Sequence, residues 1–80
     1  MEHIEKIRDV INPGDIYEHY KGKRYRIINV SRNSEDLTEW VVYETLYDNP
    51  ISTIWHRPLE MFLETLEVDG KKVQRFVHVK

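Results

Sequence analysis

Eighty residues, 40% of them hydrophobic and 32% charged, make one domain around one small core and leave no room for a multidomain machine. Fourteen acidic against twelve basic residues give a net charge of -2, so no overall field draws in a polyanion and the chain is not a general nucleic-acid binder. The absence of cysteine removes disulfide stapling, thiolate catalysis and cysteine-based metal sites together, and fits a reducing cytoplasm.

The first residues, Met1 to Lys6, lack the basic flank and long apolar centre of a secretory signal, and no run is long enough to cross a bilayer. The chain therefore reads as soluble and cytoplasmic. Ile4, Ile7, Val10 and Ile11 recur at helical spacing with Glu2, Glu5, Lys6 and Arg8 between them, which predicts a short amphipathic helix over residues 1–12, ended by Asn12-Pro13-Gly14. A helix of about three turns is marginal alone, so its isoleucine stripe must lie on the rest of the fold or on a partner.

Residues 13–80 read as one β-rich unit. Asp15 to Tyr20 and Lys23 to Val30 form a hairpin across Lys21-Gly22, with glycine supplying a positive φ. In the second arm Tyr25 and Ile27 share one face while Ile28 and Val30 continue on the other, which indicates a bulge or a strand buried on both sides. Ser31 to Asp36 is polar and reads as a loop. Trp40 to Tyr47 is the strongest strand signal, Asp48-Asn49-Pro50 turns it, and Thr53 to His56 is a further short strand. Pro58 opens a helical turn or two through Leu59, Phe62, Leu63 and Leu66. Asp69-Gly70 signals a two-residue hairpin, and Val73, Phe76, Val77 and Val79 supply the last strand. Together these elements predict a mainly β fold, a small SH3-like five-stranded barrel with a short N-terminal helix and one helical turn before the last hairpin. An open α+β sheet is the alternative.

Four blocks carry a resemblance: Tyr17-Glu18-His19-Tyr20-Lys21-Gly22-Lys23-Arg24-Tyr25-Arg26, Val41-Val42-Tyr43-Glu44-Thr45-Leu46-Tyr47, Trp55-His56-Arg57-Pro58-Leu59-Glu60-Met61-Phe62, and Arg75-Phe76. In this order and with these gaps the chain resembles the bacterial domain-of-unknown-function family numbered 1653, from Gly14 to Phe76. The resemblance implies a small SH3-like barrel of bacterial type and brings no activity, ligand or catalytic residue with it. Two departures stand out. His56 occupies a position that is usually apolar in that family, which directs it toward solvent, and the link from Asp48 to Thr53 is longer than the usual one.

Tyr17, His19, Tyr20, Tyr25, Tyr43, Tyr47, Trp55, Arg57 and Arg75 are the candidate binding residues. Tyrosine and arginine suit recognition because each joins a broad stacking face to a polar tip. The competing reading is that these aromatics fill and rim a core short of large aliphatic residues. Arg57 follows Trp55-His56 and Arg75 precedes Phe76, so two permanent cations sit beside strand aromatics, ready to grip a carboxylate or phosphate. Pairing with a glutamate such as Glu44 or Glu60 is the plainer fate for each.

His3, His19, His56 and His78 are scattered without metal-ligand spacing, so no metal is expected, and no cofactor motif is present. His19, between aromatics on a strand, is the best proton-transfer candidate, outweighed by a structural role in the absence of an activated nucleophile. Ser31, Ser34, Ser52 and the threonines lie outside any triad context, and Gly14, Gly22 and Gly70 are too far apart to form a phosphate loop. Three functions follow in order of weight. The first is a non-catalytic binding module for an extended peptide or a small anionic ligand. The second is a nucleic-acid contact domain using Lys21, Lys23, Arg24 and Arg26. The third is an accessory enzyme subunit with His19 or His56 as its acid–base group, in a site completed by a partner.

Overall fold

The computed structural model describes residues 11–80. The helix predicted over residues 1–12 lies outside the described residues but for Ile11 and Asn12, which are irregular. Alternating apolar and polar side chains fold the rest into β1 (Ile16–His19), β2 (Arg24–Arg32), β3 (Glu39–Thr45) and β4 (Ile54–Pro58). A single helical turn, α1 (Leu59–Phe62), leads on to β5 (Thr65–Val68), β6 (Lys71–Gln74) and β7 (Phe76–Val79).

The strands form two antiparallel sheets, one of five strands in the order β4-β3-β2-β1-β7 and the other the β5-β6 hairpin. The architecture is mainly β, as the alternation implies, but the hydrogen-bonded ladder is not closed: β4 and β7 are the edges of the large sheet and do not pair with each other. The sheet is curled nonetheless. Phe76 on one edge strand lies 5.6 Å from the Tyr43 ring of β3 and 5.9 Å from the guanidinium of Arg57 on the other edge strand.

A bulge in β2 serves that curl. Ile27 opposes Tyr43 and Asn29 opposes Val42, so Ile28 has no partner; it is displaced outward while Tyr25, Ile27 and Val30 all reach the concave side. The polar stretch read as a loop from Ser31 begins later, because Ser31 and Arg32 continue β2 opposite Trp40 and Glu39. Arg32 holds this end by donating from Nη1 to the Leu37 carbonyl at 2.7 Å and reaching Glu39 at 3.5 Å.

The final segment, expected as one strand, breaks into β6 and β7 at Arg75. There the backbone N–H donates to the Glu64 carbonyl (2.9 Å) while the carbonyl accepts from the Tyr20 N–H (2.9 Å), so the chain changes partner in one residue. Asp69 and Gly70, with φ of 53° and 78°, give the two-residue turn of the β5-β6 hairpin its paired left-handed conformation.

The core lies on the concave side and comprises Ile11, Tyr17, Ile27, Val41, Tyr43, Leu59, Phe62 and Phe76. The turn of α1 exists to deliver Leu59 and Phe62 into it, and Phe62 stacks on Phe76 with ring centres 4.1 Å apart and planes 7° from parallel. Burying two such rings contributes several kcal/mol.

Candidate functional site

Strand register decides which side chains can meet. His19 on β1 opposes Phe76 on β7, Tyr17 opposes Tyr25, Tyr43 opposes Trp55, and Val41 opposes Arg57. Residues directly opposite share a face of the sheet. All of these therefore belong to the concave face, whereas Glu18, Arg24, Arg26 and Glu44 occupy the convex one.

Depth within the concavity separates the candidates. Tyr17 and Tyr43, each 4% exposed, are sealed in the core, where Tyr17 meets the edge of Phe62 at 5.2 Å and stacks on His78 at 5.0 Å. His19, Tyr25, Tyr47, Trp55, Arg57 and Arg75 are half-buried, and Tyr20 is exposed. Tyr25 forms the centre of a wall. Its hydroxyl hydrogen-bonds that of Tyr47 at 2.7 Å, and its ring meets Tyr43 and Phe76 edge-on at 5.1 and 5.8 Å. Burial and the Tyr47 hydrogen bond push its pKa above the ordinary tyrosine range, so its hydroxyl keeps its proton. Lys23, one of the candidate nucleic-acid contacts, places its ammonium 4.7 Å from the Tyr47 ring centre. Trp55 donates from Nε1 to the Ser52 carbonyl at 3.1 Å, fixing its ring beside the wall.

Charge is distributed unevenly. On the convex face Arg24 pairs with Glu18 at 2.9 Å and Arg26 with Glu44 at 3.1 Å. Arg75 pairs with Glu64 at 2.9 Å, a partner with no local signal, because a backbone hydrogen bond from Arg75 to the Glu64 carbonyl brings the α1-to-β5 link to it. Its Nε is buried without a hydrogen-bond partner. Arg57 differs from the other arginines. Its Nε reaches the Tyr43 hydroxyl at 3.5 Å and its Cζ lies 5.9 Å from the Phe76 ring centre, but it makes no ion pair with a carboxylate among the described residues. His19 senses this field. Burial, then the charges of Arg57, Arg75 and Lys21, hold its pKa below the ordinary histidine value, and its Nδ1 accepts the Lys21 N–H at 3.2 Å.

This end of the concave face is thus an aromatic wall beside guanidinium and imidazole donors. It can accept negative charge. Among the described residues there is no group of three or more histidine, aspartate or glutamate side chains able to hold a metal ion. His56 lies on the convex face, tilted against Trp40 at 4.8 Å, away from these groups.

Fold and site define a small mainly β domain with an open, curled antiparallel sheet whose concave face carries a cluster of aromatic rings and cationic side chains. The chain belongs to the family described as "Protein of unknown function (DUF1653)", whose model matches residues 15–78. It is similar to a DUF1653 protein from Bordetella bronchiseptica known from its crystal structure, at 30% identity and a TM-score of 0.80 over 90% of this chain and 91% of that one. No curated protein of assigned function matches it. No helix among the described residues is long and apolar enough to cross a membrane.

Proposed function

We propose that the protein is a non-catalytic binding module whose concave face, through Tyr25, Tyr47, Trp55, Arg57 and Arg75, holds a small anionic ligand. The observation that carries this reading is the state of Arg57. Four described arginines sit within 3.5 Å of a carboxylate, while Arg57, half-buried against aromatic rings, has none among the described residues. A guanidinium withdrawn from water and left without an anion is costly, and a bound carboxylate or phosphate removes that cost through a two-pronged, charge-assisted contact. Flanking rings supply an apolar wall for the body of the ligand.

The SH3-like barrel is part of this reading. Its support is the approach of the two edge strands through Arg57 and Phe76. We also read the module as cytoplasmic and bacterial, on its cysteine-free composition and its likeness to the Bordetella protein.

The test is a titration of the full chain with benzoate and with phenyl phosphate at low ionic strength, followed by amide and side-chain NMR shifts. Binding should move the signals of His19, Tyr25, Arg57 and Arg75. Arg57→Gln should weaken it at least tenfold, about 1.4 kcal/mol, while shifting the melting temperature by only a few degrees. An unchanged affinity in that variant, or no shift with either probe, overturns the reading.

A further inference from the structure

We propose that His19 is a third ligand-contacting donor of this concave face and that the group held there is a tetrahedral oxyanion, a phosphate or sulfate head group. The inference rests on the anion-binding reading above and specifies its ligand.

Three donors come from three separate parts of the fold: His19 from β1, Arg57 from β4 and Arg75 from the bend between β6 and β7. The Phe76 ring ties two of them together, since His19 meets it edge-on at 5.0 Å and Arg57 lies 5.9 Å from its centre. Arg75 is also bound to the turn beside His19 through the Tyr20 N–H. A carboxylate offers its lone pairs in one plane and is satisfied by a single guanidinium fork. A tetrahedral oxyanion presents acceptors in several directions and suits donors arriving from different elements.

The tautomer of His19 follows from its neighbours. Because Nδ1 accepts the Lys21 N–H, the neutral ring carries its proton on Nε2, which makes no hydrogen bond to a described residue and is the donor available to a ligand. The groups facing the ring are Tyr20 and Lys21 on its own turn, Arg57 from β4, and Arg75, whose partner Glu64 is already engaged. Glu18, the adjacent residue, points to the convex face and pairs with Arg24. In the empty site the cations oppose protonation of His19. An anion among them offsets that repulsion, so binding and proton uptake favour each other.

Sulfate is the decisive probe, because it does not titrate between pH 5 and 8. The His19 ring signals are followed against pH with and without saturating sodium sulfate, with sodium acetate as the planar comparison. Sulfate should raise the midpoint of His19 by about one unit and bind several-fold more tightly at pH 5.5 than at pH 7.5, with acetate at least tenfold weaker. His19→Gln keeps a donor near the Nε2 position and should retain sulfate binding while losing most of its pH dependence. Inorganic phosphate and phenyl phosphate distinguish a free ion from an ester, the ester binding more tightly if the tyrosine wall holds its body. Arg57 signals that respond to sulfate while the His19 midpoint stays fixed overturn this inference alone. Silence at Arg57 with every anion removes the binding reading as well.

Discussion

Tyr25 shows what one residue does for both core and site. Its ring touches the core through Tyr43 and Phe76, and its hydroxyl, paired with Tyr47 at 2.7 Å, pins the segment that follows β3. Tyr25→Phe removes this hydroxyl and leaves that of Tyr47 with only the longer contact from Asn49 at 3.5 Å. The expected loss is about 1 kcal/mol, typical of a partly buried hydrogen bond, which lowers the melting temperature by about 4–8 °C in a domain of this size. A calorimetric scan checks it, and an unchanged midpoint would mean that water replaces the lost partner at no cost. Why nine residues looked alike in the sequence is clear at this scale. Alternation tells which face a side chain occupies but not how deep along that face it lies, so sealed Tyr17 and Tyr43 carry the same signal as half-buried Tyr25 and Trp55. The state of Arg57 was less legible still, because it depends on where glutamates far along the chain come to rest. Glu44, a plausible partner on paper, is taken by Arg26 across the convex face.

Elements were legible wherever local chemistry sets them. The Asp69-Gly70 turn, the helical turn after Pro58 and the bulge after Ile27 all follow from short-range rules. The break at Arg75 was not legible, since nothing local interrupts Val73 to Val79; it arises because β6 pairs with β5 while β7 pairs with β1. The bulge also permits a test of how the concave face is made. Deleting Ile28 leaves Ile27 and Val30 on the concave face, because Asn29 then follows Ile27 in regular alternation. What the deletion removes is the local bend and extra twist. We expect a variant with native-like circular dichroism, a stability lower by about 1–2 kcal/mol, and anion affinity lost because β4 no longer approaches β7. Affinity equal to that of the parent chain would show that the curl does not depend on the bulge.

At the scale of the molecule, charge is sorted by face. The net charge is only -2, and the convex arginines Arg24 and Arg26 are neutralised by Glu18 and Glu44, so that surface offers little to a nucleic acid despite its basic run. The exposed lysines Lys21 and Lys23 remain, and Lys23 is already directed over Tyr47. A protein that grips phosphates along a strand neutralises several at once, and its affinity falls steeply with salt. With two cations at one turn, we expect a labelled single-stranded oligonucleotide to show no retention above about 100 mM salt, and any low-salt binding to have a shallow log–log slope of about -1.4. Replacing Glu18 and Glu44 with glutamine frees Arg24 and Arg26 and should steepen that slope toward about -2.8, as measured by fluorescence anisotropy against salt. A steep slope in the unaltered chain would mean that the convex ion pairs open for phosphates, and would move the binding surface from the concave face to the outside of the sheet.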